Sequence, residues 1–512
     1  MKHLTLACSL LLVCATAHAQ SPLANLIQKG ERSAALEMIG DGADVNATQG
    51  DGTTPLHWAV YKVDQELVAE LLDHGAKADV TNKYGSSPLS EAVKLGDLRL
   101  VEQLLEAGAD VESRNGDGQT ALMLATKIGS LEIAKLLIER GADVNAKEAW
   151  RDQTALIWAV DGNFPELTQL LIDNGADVNV RASANEWDSQ ITSEPRAQYR
   201  PVGGLTVLVY AARSGCSRCV RSLLAAGADI DKPTPEGMTP LMIAIDNTSY
   251  DTARVLLDAG ANPQVWDWYG RTALYIATDM SSFRGRQPHP TASSETSATD
   301  LVRLLLEAGV NPNAQLNMHR PSRGGNNGRF ADELLNTGTT PLLRAAIGAD
   351  VEAARLLLEH GALVDLPSVH GITPLMAAAG HSSGRGFGDQ QQNAQQAQAR
   401  AIELIDMFLA AGADIDAKIG NSHFHTARVG RQPSAVTDRE GQTALYGAVK
   451  FGWTNVVEYL LAKGADPNVK DALGKTPLDG ALGQIGGRDN TASEEVAALL
   501  RAAGAREPIA AR

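Results

Sequence analysis

A recurring glycine spacing constrains the fold of this chain more than any other feature. A Gly-Ala-Asp-like triplet occurs twelve times, and its first gaps are 33, 33, 33 and 34 residues. A unit of this length cannot bury an apolar face alone, so successive units must stack on one another. The 512 residues therefore predict one continuous array instead of the roughly three domains that their number would allow. The glycines of the triplets are Gly42, Gly75, Gly108, Gly141, Gly175, Gly227, Gly260, Gly309, Gly361, Gly412, Gly464 and Gly504.

A second marker precedes most of the triplets and predicts the start of a helix. In Thr54-Pro55-Leu56-His57, Thr54 can cap a helix whose first position is Pro55, where the missing N–H costs nothing. Further along a unit, Leu98, Val101, Leu104 and Leu105 form one apolar stripe, and Gly108 can end that second helix in the left-handed conformation. Each unit is therefore predicted to be a helix-turn-helix.

The period and the T-P-L-H-x-A signature resemble the ankyrin repeat over essentially the whole chain after residue 19. The resemblance implies an all-α solenoid of about 12 units, joined by finger loops that run from each second helix to the next first helix. It also implies a protein that binds other proteins without catalysis. We expect an N-terminal capping repeat at 20–50, regular repeats at 51–181, repeats with long insertions at 182–470, and a C-terminal capping repeat with a tail at 471–512.

Five insertions interrupt the period. Residues 182–204, 317–338 and 418–438 fall in fingers, whereas residues 279–299 and 381–400 fall between the two helices of one repeat. Extra residues in a solenoid map to loops, often on the binding face. The glutamine-rich segment 381–400 is expected to be flexible before it turns helical towards Ile402, and to hold no site. The finger 317–338 is either a solvated loop or a partner contact, because it carries Arg320, Arg323, Arg329 and Phe330 on an acidic chain.

The first 19 residues have the pattern of a secretory signal peptide. Lys2 precedes an apolar stretch from Leu4 to Ala15, and Ala17-His18-Ala19 is a small-x-small cleavage site. We therefore expect an exported chain that begins near Gln20, located in the periplasm or, alternatively, secreted. No later stretch is apolar for long enough to cross a bilayer, so membrane insertion is not expected.

The charge balance restricts the partners. With 45 Lys and Arg against 61 Asp and Glu, the net charge of −16 makes binding to nucleic-acid phosphates unfavourable. We expect a monomer that binds a protein of unknown identity. A competing hypothesis is an immunity or inhibitor protein whose acidic face mimics a substrate.

Aromatic residues are scarce, and nine of the 23 fall in predicted fingers. Exposed Trp and Tyr anchor protein interfaces because they bury a large area and lose little rotamer entropy. The alternative is that these rings brace neighbouring fingers. Together with the four residues of the finger 317–338, the candidate partner-binding residues are Trp150, Trp187, Trp266, Trp268 and Tyr269.

The cysteine pair Cys216-Ser217-Arg218-Cys219 is the one cysteine motif outside the predicted leader. A local disulfide or a packing pair is one interpretation; metal binding is another. A third is redox exchange, because a helix N-terminus lowers thiol pKa values, which would make the protein a redox accessory. The preceding segment Val207 to Arg213 is predicted to be a helix, whereas thioredoxin-like motifs follow a strand.

Two other motifs give weaker evidence of a function. Gly380-His381-Ser382-Ser383-Gly384 matches the nucleophile elbow of serine hydrolases, but the elbow requires a preceding strand and a helix is predicted there. His423-Phe424-His425 lacks the further ligands of a metal site. We therefore expect no catalytic residue, no metal and no cofactor, and the leading hypothesis is a non-enzymatic scaffold that binds its partner through a concave face and extended fingers.

Overall fold

The computed structural model describes residues 21–185, 202–282, 295–317, 338–369, 371–381, 394–420, 440–485 and 492–507. These residues fall into two compact units, divided between Val178 and Asn179. Unit 1 contains five helix pairs and unit 2 contains seven within the described ranges, which agrees with the twelve units predicted from the glycine spacing.

Unit 1 consists of helices that alternate between first and second members of a pair. They are α1 (Pro22–Lys29), α2 (Arg32–Gly40), α3 (Pro55–Tyr61), α4 (Gln65–Asp73), α5 (Pro88–Leu95), α6 (Leu98–Glu106), α7 (Ala121–Ile128), α8 (Leu131–Glu139), α9 (Ala155–Asp161) and α10 (Pro165–Asp173).

Unit 2 continues the alternation and adds one short ladder, β1 (Ala184–Asn185) with β2 (Val202–Gly203). Helix α19 continues into a π-helical turn, Ala377–His381. The helices are α11 (Val207–Ser214), α12 (Ser217–Ala225), α13 (Pro240–Asp246), α14 (Tyr250–Asp258), α15 (Ala273–Ser282), α16 (Ala298–Glu307), α17 (Pro341–Ile347), α18 (Val351–Glu359), α19 (Pro374–Met376), α20 (Ala394–Ala410), α21 (Ala444–Lys450), α22 (Thr454–Ala462), α23 (Pro477–Ala481) and α24 (Glu494–Ala502).

The predicted capping residues start and end the helices. The Ser87 hydroxyl accepts the backbone N–H of Ser90 at 3.1 Å, and Pro88 occupies the first position of α5. The Thr54 hydroxyl caps α3 in the same way through the N–H of His57. At the other end of a unit, Gly108 follows α6 with φ +86°, the conformation that closes a helix with a glycine.

Stacking between equivalent helices builds the core of each unit. First helices pack on first helices and second helices on second helices, as in the series α3, α5, α7 and α9. Where the first helices of unit 1 meet, an alanine lies five residues after each cap, and its small side chain lets the helices approach closely. These fully buried residues are Ala59, Ala92, Ala125 and Ala159.

Two features depart from the sequence prediction. The base of the insertion 182–204 is an antiparallel ladder in which Ala184 lies opposite Gly203, so the chain is helical apart from this two-residue pairing within the described ranges. Helix α20 begins at Ala394, inside the predicted insertion 381–400, because alanine and glutamine are strong helix formers. Within that early part of α20, Ala397 is buried and the Gln398 side chain accepts the N–H of Asn455 at 3.1 Å.

Candidate functional site

The tips of the fingers in unit 1 are turns held by one side-chain oxygen. At the second finger, Asn82 Oδ1 accepts the N–H groups of Tyr84 and Ser86, each at 3.0 Å. At the third, Asn115 Oδ1 accepts the N–H groups of Asp117 and Gln119 at 3.0 and 2.9 Å. These Asx-type turns fix the backbone of the tip before any partner arrives.

The fourth finger uses a buried carboxylate for the same purpose. Glu148 is buried, its Oε2 accepts the N–H of Trp150 at 2.6 Å, and its Oε1 accepts the N–H groups of Arg151 and Gln153 at 2.7 and 3.2 Å. Three backbone donors compensate the loss of water around the carboxylate. The result is a rigid turn from which the Trp150 side chain projects 74% exposed, as exposed as Tyr84 on the second finger.

The backbones of neighbouring fingers are in close contact. Gly85 has φ +73°, and a Cβ there would lie 2.4 Å from the nitrogen of Gly116 on the next finger. The N–H of Lys83 donates to the carbonyl of Asp51 on the preceding finger at 2.8 Å. With packed helices about 10 Å apart, Tyr84 and Trp150 lie two fingers, or roughly 20 Å, apart.

In unit 2, a buried ion pair holds an equivalent tip. Asp267 Oδ1 accepts the N–H groups of Tyr269 and Arg271 at 3.0 and 2.8 Å, while its Oδ2 pairs with the Arg271 guanidinium at 2.6 Å. The second carboxylate near this guanidinium is Asp246, at 3.7 Å. Burial alone would lower the pKa of Arg271, but the two carboxylates raise it above its ordinary value. The guanidinium therefore stays charged inside the fold.

Two tryptophans project from this tip. Trp266 is 67% exposed and Trp268 is 56% exposed. The N–H of Trp268 donates to the carbonyl of Glu236 on the preceding finger at 2.9 Å, so the turn is tied to its neighbour as well as to Asp267. We call the four exposed rings Tyr84, Trp150, Trp266 and Trp268 the fingertip aromatics.

The structure corrects one candidate and leaves five outside the described residues. Tyr269 is only 3% exposed, so it is not a surface anchor; its backbone carbonyl accepts the N–H of Asn317 at 3.1 Å. The pattern in the sequence placed it beside two exposed tryptophans, but the turn at Asp267 points it inward. The candidates outside the described residues are Trp187, Arg320, Arg323, Arg329 and Phe330.

Sequence reasoning missed the residues that hold the tips, Glu148, Asp267 and Arg271. A signal was present for Asp267, because Asp and Asn at the start of a tight turn accept nearby backbone N–H groups, here those two and four residues later. Glu148 instead accepts the N–H groups two, three and five residues later. From the sequence alone, an acidic residue in a loop is expected to be exposed to solvent, and only the structure shows that it is buried.

The cysteine pair forms a disulfide at the start of α12. Cys216 and Cys219 are bonded, with their Cα atoms 5.2 Å apart, and both side chains are buried. The sulfur of Cys216 also accepts the N–H of Cys219 at 3.2 Å. It therefore caps α12 in the way that Asp64 and Asp97 cap the equivalent helices α4 and α6. Burial keeps an external thiolate from reaching either sulfur, which disfavours the redox-accessory hypothesis.

Within the described residues, the remaining motifs show no chemical site. Gly380 and His381 lie in the π-helical turn that follows α19, so no strand leads into the G-x-S-x-G match, and Ser382 lies outside the described residues. His423 and His425 also lie outside them. In the part of the chain that the structure covers, no group of three or more His, Cys, Asp or Glu side chains is placed to hold a metal ion. Across the same residues, no helix combines the length and apolar character needed to cross a bilayer.

Family models of one kind match most of the chain. The model described as "Ankyrin repeats (3 copies)" matches residues 23–115, 89–182, 192–267, 208–316 and 291–385. The model described as "Ankyrin repeats (many copies)" matches residues 431–481.

Individual relatives are distant. The chain is 28% identical over 261 residues to B-cell lymphoma 3 protein homolog of Mus musculus, covering 51% of this chain and 43% of that protein. It is 30% identical over 280 residues to Ankyrin repeat and SOCS box protein 16 of Homo sapiens, covering 54% of each. Among solved structures, the ankyrin repeat domain of Bcl-3 matches with a TM-score of 0.37 and 27% identity, over 44% of this chain and 94% of that one. The chain spans about half the length of these curated relatives.

Proposed function

Because the chain belongs to the ankyrin-repeat family, we propose that it is a non-enzymatic scaffold that binds a partner protein through its fingertips and the face formed by its first helices. Ankyrin repeats are protein-interaction modules, and fold alone does not select the partner. The identity of this partner must therefore come from the chemistry of the exposed surface.

The observation that carries the proposal is the set of fingertip aromatics. Tyr and Trp are the side chains most often found at the energetic centre of protein interfaces. Here they project from turns whose backbones are already fixed by Asn82, Glu148 and Asp267. A receptor surface that is ordered before binding does not spend affinity on its own ordering.

We also propose that the scaffold acts after export, in the periplasm or outside the cell. The basic, apolar and small-x-small pattern of residues 1–19 supports this location. The disulfide between Cys216 and Cys219 is consistent with an oxidising compartment.

Co-purification of the tagged full-length chain from its native cells tests the proposal. The Tyr84→Ser/Trp150→Ser double variant should lose a partner that the wild type retains, because each aromatic anchor is worth about 2 kcal/mol or more, close to 30-fold in affinity. The control is Leu363→Ser, which removes an exposed apolar side chain at the base of a finger loop, just beyond α18 and outside the turns that carry the fingertip aromatics. Retention of the same protein by all three chains would exclude the fingertips as its binding site.

A further inference from the structure

Three successive first helices of unit 1 end in the same combination of side chains. Each of α3, α5 and α7 finishes with one lysine and one exposed apolar residue, at the positions seven and eight residues after its cap. The apolar members are exposed by 57% (Tyr61), 43% (Leu95) and 41% (Ile128). We call this set the helix-end stripe; it consists of Tyr61, Lys62, Lys94, Leu95, Lys127 and Ile128.

The stripe is continuous and lies away from the fingertips. Helix α3 packs on α5, and α5 packs on α7, so the three ends are adjacent. The Cδ1 atom of Ile128 lies 3.9 Å from where a Cβ of Gly96 would be, directly beside Leu95. The fingers lead into the N-terminal ends of the first helices, whereas the stripe occupies their C-terminal ends. It is therefore a second surface, separate from the one proposed above.

The apolar members are held in place and have exposed neighbours. The ring of Tyr61 meets the ring of Trp58 edge-on, with centroids 5.7 Å apart. Val63, just beyond α3, and Leu131, at the start of α8, add exposed apolar area on either flank. Five of the seven large apolar side chains exposed in the described part of unit 1 thus gather at this edge, and the other two are fingertip aromatics.

The lysines make the stripe cationic within an acidic unit. Residues 21–178 contain 13 Lys and Arg against 26 Asp and Glu. Yet Lys62 has no ion-pair partner among the described residues, and the ammonium group of Lys127 lies 5.0 Å over the ring of Trp158, while Lys94 pairs with Glu91 at 3.0 Å. Lysine at a helix C-terminus is favoured by the helix dipole, but the dipole does not explain an exposed apolar residue beside each one.

Nearby carboxylates are already engaged. Asp64 accepts the N–H of Leu67 at 3.0 Å and pairs with Arg32 at 2.7 Å. Asp97 accepts the N–H of Leu100 at 3.0 Å and the side-chain amide of Gln65. Farther out, on the first turns of the second helices, Glu66, Arg99 and Glu132 alternate in sign. The Lys62 ammonium group is therefore the charge of the stripe best placed to meet a partner, because Lys94 already pairs with Glu91 and Lys127 lies over Trp158.

We propose that the helix-end stripe binds an amphipathic helix of a partner protein, whose apolar face is flanked by Asp and Glu. Packed helices lie about 10 Å apart, and a helix advances about 10.5 Å in seven residues at 1.5 Å per residue. A helix lying across the stripe would place residues i and i+7 on Leu95 and Ile128, which hold the same position in their repeats, with Tyr61 one position earlier in its own repeat. An extended strand would cover each step in about three residues, but its side chains alternate, so every second one would point away.

The equivalent helix ends in unit 2 differ from those of the helix-end stripe. The equivalent positions at the ends of its helices α11 and α13 are Arg213 with Ser214 and Asp246 with Asn247, which combine no lysine with an apolar residue. Helix α21 does end with Lys450 and Phe451, but Phe451 is only partly exposed and lies beneath the Lys450 ammonium group. Among the described residues, three consecutive first helices with this exposed pair occur in unit 1 alone.

Two designed helical peptides of about three heptads test the proposal against the full chain, with affinity measured by fluorescence anisotropy. Both carry leucine at every seventh position on an alanine-rich helix; the flanking positions are glutamate in one peptide and lysine in the other. The glutamate peptide should bind at least about 10-fold more tightly than the lysine peptide. Leu95→Ser and Ile128→Ser should each weaken its binding about 10-fold, as expected for losing a buried aliphatic side chain.

The matched control is Trp150→Ser, which removes a fingertip aromatic and should leave peptide binding unchanged. Equal binding of the two peptides, no binding of the glutamate peptide, or wild-type affinity in both stripe variants would overturn the proposal. Because Leu95 and Ile128 are exposed, both variants should keep the circular dichroism spectrum of the wild type. The result is independent of whether the fingertips bind a partner.

Discussion

Replacing Asp267 with asparagine isolates the contribution of the buried ion pair that holds the tip with Trp266 and Trp268. The amide keeps an oxygen for the N–H groups of Tyr269 and Arg271, so the turn can form as it does around Asn115. What is lost is the negative charge that faces the Arg271 guanidinium at 2.6 Å.

The expected cost follows from what remains around Arg271. Removing one partner of a buried pair costs about 3–5 kcal/mol, because the other charge is left uncompensated. Asp246 still lies 3.7 Å from the guanidinium, so we expect the lower end, about 3 kcal/mol. The double variant Asp267→Asn/Arg271→Gln should be more stable than Asp267→Asn, because it removes the uncompensated guanidinium, and it should fall short of the wild type because Asp246 loses its cation. It reproduces the Asn115 and Gln119 arrangement, in which the two side chains hydrogen-bond at 2.9 Å.

Native-state hydrogen exchange is the appropriate assay, because repeat arrays do not unfold as a single two-state system. The free energy of opening should fall for amides in α13 and α15. Arg303→Gln is the control: its pair with Glu352 is about half exposed and should cost less than about 1 kcal/mol. A loss below about 1 kcal/mol in Asp267→Asn, or a double variant as unstable as the single one, would refute the role given to this pair.

Three further outcomes are expected. Burial lowers the pKa of His57 below 6.5. As the pH falls below that value, the unfolded chain therefore takes up a proton at this residue that the folded chain does not. The free energy of opening measured by hydrogen exchange for amides in α3 and α5 should therefore drop between pH 7 and pH 5, and a His57→Gln variant should lose this pH dependence. Gly85→Ala should lower the free energy of opening of nearby amides, measured by hydrogen exchange, more than Gly108→Ala does. Both positions require positive φ, but only the first places a Cβ against a neighbouring backbone, for a further cost of about 1–3 kcal/mol. Thiol titration of the denatured exported protein should find no free thiol before reduction and only Cys216 and Cys219 after it; additional thiols would show that the first 19 residues are retained.

Local chemistry explains why the repeats were predictable. Thr54 with Pro55 specifies where a first helix begins, and Gly108 specifies where a second helix ends, so the register follows from residues close in sequence. The twelve glycines also predict the number of units, because every unit forms the same local structure and stacks on the next one.

Tertiary contacts explain what the sequence could not provide. Tyr269 is buried while its neighbours Trp266 and Trp268 are exposed, and this difference arises from the turn around Asp267. The helix-end stripe was missed because Leu95 continues an apolar pattern whose other members are buried; only the packed structure shows where the pattern reaches the surface. Helix α20 began earlier than expected because composition suggested flexibility where packing of Ala397 favours a helix.

The most direct test of the binding function is photo-crosslinking in native cells. A photoreactive amino acid would replace Trp150 or Trp266 at the fingertips or, as a control, exposed Lys135 on α8. The account predicts a discrete adduct with another protein from either fingertip position and none from position 135. No adduct from either fingertip, or the same adduct from all three positions, would contradict it.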